Sequence, residues 1–306
     1  MILTAGLTPA WQQIMRFDQL RPGEVNRAVE VHTCASGKGL NVAIALSHLE
    51  QECTALAPLG GPALGLVEQE FAALGIARRW IEVARPTRVC TTILEQHDQR
   101  VTELVENAGS LDHASLDRFA DAFSELAVTA DVAVVTGSLP EGTQPTYYRD
   151  LIARARCRLI LDIRGPELLE LLADRPWLVK PNREELAKTV EADLSDDAIL
   201  HQAMHALNRR GAEWVVVTTG AAPAWATSGG KLFRFDAAEV DVVNPIGSGD
   251  CLAAGIAAGM ARGEAPLDAI TLGFAAAADN VGRLLPARLD PKSVARRREL
   301  IAPAQV

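Results

Sequence analysis

Cysteine is sparse and unpaired in pattern: Cys34, Cys53, Cys90, Cys157 and Cys251 are scattered, odd in number and form no Cys-x-x-Cys pair. A disulfide framework and a thiolate zinc site are thereby disfavoured, and a reducing, cytoplasmic setting is expected. Basic residues are in deficit, 30 against 39 acidic ones for a net charge of −9, which argues against non-specific nucleic-acid binding. A locally basic pocket for an anionic substrate remains compatible with that balance. No apolar run approaches the length of a membrane span. The opening Met1-Ile2-Leu3-Thr4-Ala5-Gly6 lacks the basic start and long apolar core of a signal peptide and reads as a strand. No Gly-x-Gly-x-x-Gly follows that strand, which weighs against a dinucleotide dehydrogenase, and no Gly-x-x-x-x-Gly-Lys-Ser/Thr run exists. His201 and His205 are one helical turn apart but lack a third ligand, so a solvated face is expected there. Internal repeats, low-complexity tracts and linkers are absent.

What is present is ordinary globular material: 306 residues, 48% hydrophobic and 23% charged. That length suits one large α/β domain or two smaller ones. Short β-rich runs at Met1–Ala5, Thr54–Leu59, Val132–Thr136, Leu159–Ile163, Trp177–Val179 and Trp214–Thr218 read as buried strands. Helices are expected at Leu40–Glu50, Ala63–Leu74, Leu116–Leu126, Pro145–Ala155, Arg183–Thr189, Asp197–Arg209, Gly249–Arg262 and Leu267–Val281. Such alternation predicts a mostly parallel sheet covered on both faces, with ligands at the carboxyl ends of its strands. Residues 12–35 and 87–106 break the rhythm. Their alternating polarity predicts antiparallel, half-exposed strands forming one small sheet over the strand ends, a cover able to exclude water.

The most informative run is Asn244-Pro245-Ile246-Gly247-Ser248-Gly249-Asp250, followed by a helix of small apolar residues. A Gly-Ser-Gly turn opening a helix aims unpaired amides and the positive end of the dipole at one point, which suits a phosphate. An aspartate beside that point suits a base for an attacking hydroxyl. A helix start with a dipole-favoured acid is the plainer reading of the same residues. Ser36-Gly37-Lys38-Gly39-Leu40-Asn41-Val42-Ala43 opens another helix, with Lys38 able to place charge near an anion and Asn41 able to face sugar hydroxyls.

Together these two runs resemble the ribokinase-like (PfkB) carbohydrate kinases. Gly137-Ser138-Leu139-Pro140 with Gly142, Lys180-Pro181-Asn182-Arg183-Glu184-Glu185-Leu186 and Thr102-Glu103-Leu104-Val105-Glu106 match further family motifs in order and spacing over nearly the whole chain. Thr8-Pro9-Ala10, Arg21-Pro22-Gly23-Glu24-Val25-Asn26-Arg27 and the Asn244-Pro245 pair are similar to the sugar-phosphate branch, which includes 1-phosphofructokinase and tagatose-6-phosphate kinase. The resemblance implies a ribokinase-like three-layer α/β sandwich. Residues 1–11, 36–86 and 107–306 would form the main nucleotide-binding domain, and residues 12–35 and 87–106 a β lid. It implies an ATP- and Mg²⁺-dependent kinase that phosphorylates a ketohexose phosphate.

By position, Asp250 would be the base, and the amides of Gly247, Ser248 and Gly249 would hold the moving phosphoryl group. Asn182 and Glu185 would organise Mg²⁺ through water. Thr218 and Gly220 would contact ATP, with Asn280 near the adenine. Gln12, Gly37, Lys38 and Asn41 would face the sugar phosphate, Lys38 and Arg88 gripping its phosphate with help from Arg27 and Ser138. Arg27 would act across a homodimer formed through the lids. Two positions depart from the pattern: Gln12 stands where the branch carries an aspartate, and Pro223 where the family prefers a glycine. These departures keep two other expectations open, a kinase of an unphosphorylated sugar or nucleoside and a catalytically weakened binding homologue.

Overall fold

The computed structural model describes all 306 residues. The chain opens with β1 (Ile2–Ala5), β2 (Ala10–Phe17), β3 (Glu30–Ser36), α1 (Lys38–His48), β4 (Cys53–Leu59), α2 (Pro62–Ala73) and β5 (Ala77–Glu82). Next come β6 (Arg88–Glu95), β7 (Arg100–Val105), α3 (His113–Ala127), β8 (Val132–Thr136), α4 (Tyr147–Ile152), β9 (Arg158–Asp162) and α5 (Pro166–Leu171). It continues through β10 (Leu178–Val179), α6 (Arg183–Val190), α7 (Asp197–Arg210), β11 (Trp214–Thr219), β12 (Ala222–Ser228) and β13 (Lys231–Phe235). It closes with α8 (Ser248–Ala261), α9 (Pro266–Val281), α10 (Pro291–Leu300) and β14 (Ala304–Gln305).

The main sheet is ten-stranded in the order β14-β13-β12-β11-β10-β9-β8-β1-β4-β5. From β5 across to β11 every neighbouring pair is parallel, and the remaining pairs are antiparallel. Strands buried on both faces must be apolar at every position, which is why Val132–Thr136 reads as an unbroken run. Successive side chains still alternate between faces. Ile2, Val132, Val134 and Val216 join one core cluster, whereas Leu3, Ala133, Val135, Val215 and Val217 join another. The first is covered by α1, α2, α8, α9 and α10, the second by α3 to α7. The expected three-layer sandwich is the result.

A separate four-stranded sheet, in the order β3-β2-β6-β7, stands over the carboxyl ends of β1 and β4. Its outer pairs are antiparallel as expected, but the central β2–β6 pair is parallel. Both strands set out from the carboxyl edge of a parallel sheet, after β1 and after β5, so they run the same way. The elements absent from the sequence reading are β5, the β12–β13 hairpin, α5, α10 and β14.

Candidate active site

The turn before α8 is braced by two buried asparagines. Asn244 accepts from the Ile246 amide (3.1 Å) and donates to the Leu284 carbonyl (2.9 Å). Asn280 donates to the Ile246 carbonyl (2.9 Å) and to Ser248 Oγ (3.0 Å), and accepts from the Ala287 amide (2.7 Å). Gly247 has φ +83°, and a Cβ there would lie 3.0 Å from Pro286 Cβ, so glycine is required. The Ser248 amide donates to the Pro245 carbonyl (3.3 Å). No backbone carbonyl accepts from the amides of Gly247, Gly249 or Asp250. The free donors are therefore these three, and Ser248 contributes its side chain to the turn.

Asp250 lies in the first turn of α8, buried, and accepts from Asn41 Nδ2 at 2.7 Å. Burial raises its pKa to about 6; the Lys38 charge works the other way and the Asp162 carboxylate adds to the rise. Asp162, at the end of β9, is 2% exposed and stands between two ammonium groups, Lys180 Nζ and Lys38 Nζ, each at 3.2 Å. It also accepts from Thr136 Oγ1 (3.0 Å). Burial opposes its charge, but Lys180 and Lys38 outweigh that cost and hold its pKa down at about 2. Lys38 reaches toward Glu185 as well (3.8 Å). Burial works against its charge too, yet Asp162, Asp250 and Glu185 together push its pKa up, so it stays cationic.

These groups open into a cavity of about 970 Å³ at the carboxyl edge of the sheet, beneath the small sheet. Gln12, Gly37, Lys38, Asn41 and Arg88 line it together with Asn182, Glu185, Thr218, Gly220 and the turn from Pro245 to Asp250. Three expected residues are not among its walls. Arg27 is exposed on the β2–β3 loop and does not line the cavity. Ser138 is exposed beyond β8, its carbonyl accepting from Tyr148 Oη (3.4 Å). Asn280 is buried and its side chain is bonded within the turn, as described.

Residues that do line the cavity have partners of their own. Arg88 donates to the carbonyls of Thr8 (3.0 Å), Glu106 (3.1 Å) and Pro9 (3.4 Å), bolting the base of the small sheet to the β1–β2 connection. Its guanidinium keeps further N–H groups beyond these three bonds. Gln12 is buried and its Nε2 donates to Thr92 Oγ1 on the neighbouring strand (2.7 Å). Asn182 and Glu185 form a capping box at the start of α6. Asn182 also bridges to Thr218 in parallel register, which places both at one wall. No cluster of three His, Cys, Asp or Glu side chains is preassembled for a metal. Among the carboxylates that line the cavity, Glu185, paired with Asn182 in the capping box, fits Mg²⁺, which keeps several waters and draws other ligands from substrate phosphates. Pro223 sits where the β11–β12 register slips, between the Thr219–Ala222 and Val217–Trp225 pairs, and before the β13 ladder begins at Ala224. A residue without an amide proton is tolerated at such a slip.

Asp162, Lys180 and Glu103 of the small sheet, which also lines the cavity, had no assigned role in the sequence reading. Asp162 carried a usable signal: a lone carboxylate at the carboxyl end of a buried parallel strand. Lys180 lay inside a recognised motif, and only its burial beside Asp162 reveals its use.

A family model described as pfkB family carbohydrate kinase matches residues 7–291. A tagatose-6-phosphate kinase of Staphylococcus epidermidis is 32% identical over 266 residues, spanning 85% of each chain. Among solved structures, a possible 1-phosphofructokinase of Thermotoga maritima superposes with a TM-score of 0.91 at 21% identity, covering 100% of this chain and 99% of the other. Phosphofructokinase-2 of Escherichia coli, in a tetrameric inhibited form, gives a TM-score of 0.89 at 23% identity, with 98% of each chain covered. The protein thus belongs to the pfkB family of carbohydrate kinases.

Proposed function

We propose that this kinase transfers the terminal phosphoryl group of ATP to a hydroxyl of a ketohexose phosphate, giving a bisphosphate. The observation that carries the reading is the meeting of Asp250 with the free amides of Gly247 and Gly249, with Lys38 and Arg88 on the same cavity wall. Asp250 takes the hydroxyl proton, the oxygen attacks the terminal phosphorus, and the bond to the ADP oxygen breaks. The amides and the start of α8 hold the charge that gathers on the moving group. Lys38, fixed by Asp162, sits where donor and acceptor phosphates converge. Glu185 and Asn182 are the residues that would hold Mg²⁺, which would supply charge neutralisation at the ATP phosphates. Thr218 and Gly220 border the nucleotide. Kinship with a tagatose-6-phosphate kinase supports a phosphorylated acceptor.

Residues 12–35 and 87–106 act as a lid, and the outer face of that lid pairs two copies of the chain. Val29, Val31, Val89 and Leu104 stand exposed on this small sheet and its connection, an apolar surface that self-association would cover. Arg27 reaches a phosphate only across such a pairing. No helix is long and apolar enough to cross a membrane.

A kinase of unphosphorylated sugars is the second reading, favoured by the carbonyl partners of Arg88 and the absence of Arg27 and Ser138 from the cavity wall. ADP release measured with tagatose 6-phosphate, fructose 1-phosphate, fructose 6-phosphate, free hexoses and a nucleoside separates the two. Turnover with a ketohexose phosphate at least about tenfold above any free sugar supports the first; the reverse order supports the second.

A further inference from the structure

The small sheet brings a single acid to the cavity. β7 is an edge strand of that sheet, and Glu103 sits midway along it. Val101 and Val105 share its face, since side chains two apart on a strand point the same way. Val101 packs against the buried Ile14, Cys34 and Leu94, which marks this face as the inner one. Val105 and Glu103 both line the cavity. Glu103 is therefore an inward-pointing charge on a largely apolar face. It is open to solvent, yet the atoms packed around it raise its pKa, while the Arg88 charge opposes the rise. No hydrogen bond or ion pair engages its carboxylate. Across β6, Thr92 lies opposite Glu103 in register, and Thr92 Oγ1 accepts from Gln12 Nε2. Gln12 is neutral and brings no charge to this wall. Among the small-sheet residues that line the cavity, Glu103 is the only carboxylate and Arg88 the only cation.

We infer that Glu103 is a specificity-determining residue whose carboxylate accepts hydrogen bonds from hydroxyls of the acceptor sugar. The inference rests on the proposed transfer to a ketohexose phosphate and names the residue that selects it. A carboxylate offers two acceptor oxygens, so it can take two neighbouring hydroxyls of a polyol. Bonds to a charged acceptor are also stronger than those a neutral amide would make. The same charge repels a phosphate, which is left to Lys38 and Arg88. A molecule with a phosphate at one end and hydroxyls at the other then fits in one direction only, because the reversed pose sets like charges together. That direction decides which hydroxyl meets Asp250.

The test compares wild type with Glu103→Gln, which keeps the shape and removes the charge, and Glu103→Asp, which keeps the charge on a shorter stem. The substrate is the ketohexose phosphate that turns over best. For Glu103→Gln the sugar-phosphate KM should rise about tenfold or more, with kcat within about threefold and ATP KM within about twofold of wild type. Glu103→Asp should raise the sugar-phosphate KM by less. Calorimetric binding of the same sugar phosphate without ATP should weaken in step with KM. A sugar-phosphate KM within about twofold of wild type in Glu103→Gln would overturn the inference and leave Glu103 as a charge that keeps the β7 edge from pairing. An equal rise in the KM for ATP would overturn it as well, because a contact to the sugar does not weaken the nucleotide alike. If free hexoses prove the better acceptors, the proposed phosphorylated acceptor fails, and the same KM comparison made with the preferred hexose still decides the role of Glu103.

Discussion

The two ends of the cavity are built differently. The deep end is made by the main sheet and its helices: Asp250 on α8, Asp162 on β9, Lys180 after β10 and Lys38 on α1. Asp250, Asp162 and Lys180 are buried, and Lys38 is anchored by its 3.2 Å contact with Asp162. The outer end is made by the small sheet, through Gln12, Arg88 and Glu103, and is tied to the β1–β2 connection by Arg88 bonds to backbone carbonyls. Rigid burial suits groups that must meet a developing charge in one geometry. A separate sheet over the cavity suits groups that select a substrate. Gln12, one of the two departures from the expected family pattern, lies at this outer end.

The largest expected effect lies at the deep end. Asp250→Asn lowers turnover by about 10³-fold or more while ATP binding, measured by calorimetry, stays within about threefold of wild type. Asp162→Asn leaves Lys38 and Lys180 without their shared carboxylate; loss of one partner of a buried pair costs about 3–5 kcal/mol, read by urea unfolding. Activity falls with it, because Lys38 is no longer held in place. At the outer end the effects are smaller and fall on selection. Gln12→Asp changes preference within the ketohexose-phosphate panel by about tenfold or more, the size of one gained charge-assisted hydrogen bond of about 1.5–3 kcal/mol, and leaves the pH dependence of kcat in place. Arg27→Ala changes kinetics less than about twofold in a monomer; a larger loss that tracks dimer dissociation by light scattering would show that the lids do pair. If instead Gln12→Asp suppresses kcat as Asp250→Asn does, the two ends are not separate.

Much of the deep end was legible in the sequence. Buried parallel strands announce themselves as unbroken apolar runs, and the α8 turn carries its chemistry in consecutive residues. The edge strand β5 was not, because the adjacent Arg78 and Arg79 break the alternation of polar and apolar positions. Pro223 likewise hid β12, since a register slip that admits proline depends on two partner strands. The small sheet was placed correctly, but its parallel central pair follows from the direction in which two distant excursions leave the main sheet. Long-range contacts, which decide what each side chain touches, were not legible. Asn280 carries the right side chain for a ligand but is consumed by the turn, and Arg88 is partly consumed by carbonyls of a segment 80 residues away. Asp162 is the converse, a lone acid without a motif that contact with two lysines brings into the site.

The most direct test of the account uses the unaltered enzyme, so that folding of a variant cannot intervene. In a plot of kcat/KM against pH, measured with saturating ATP and Mg²⁺, the base must be ionised to act, and burial has lifted the Asp250 pKa to about 6. Activity should therefore fall about tenfold per unit below pH 6, with one proton taken up. A profile that stays flat down to pH 4.5 would contradict the placement of a buried aspartate as the base of this kinase.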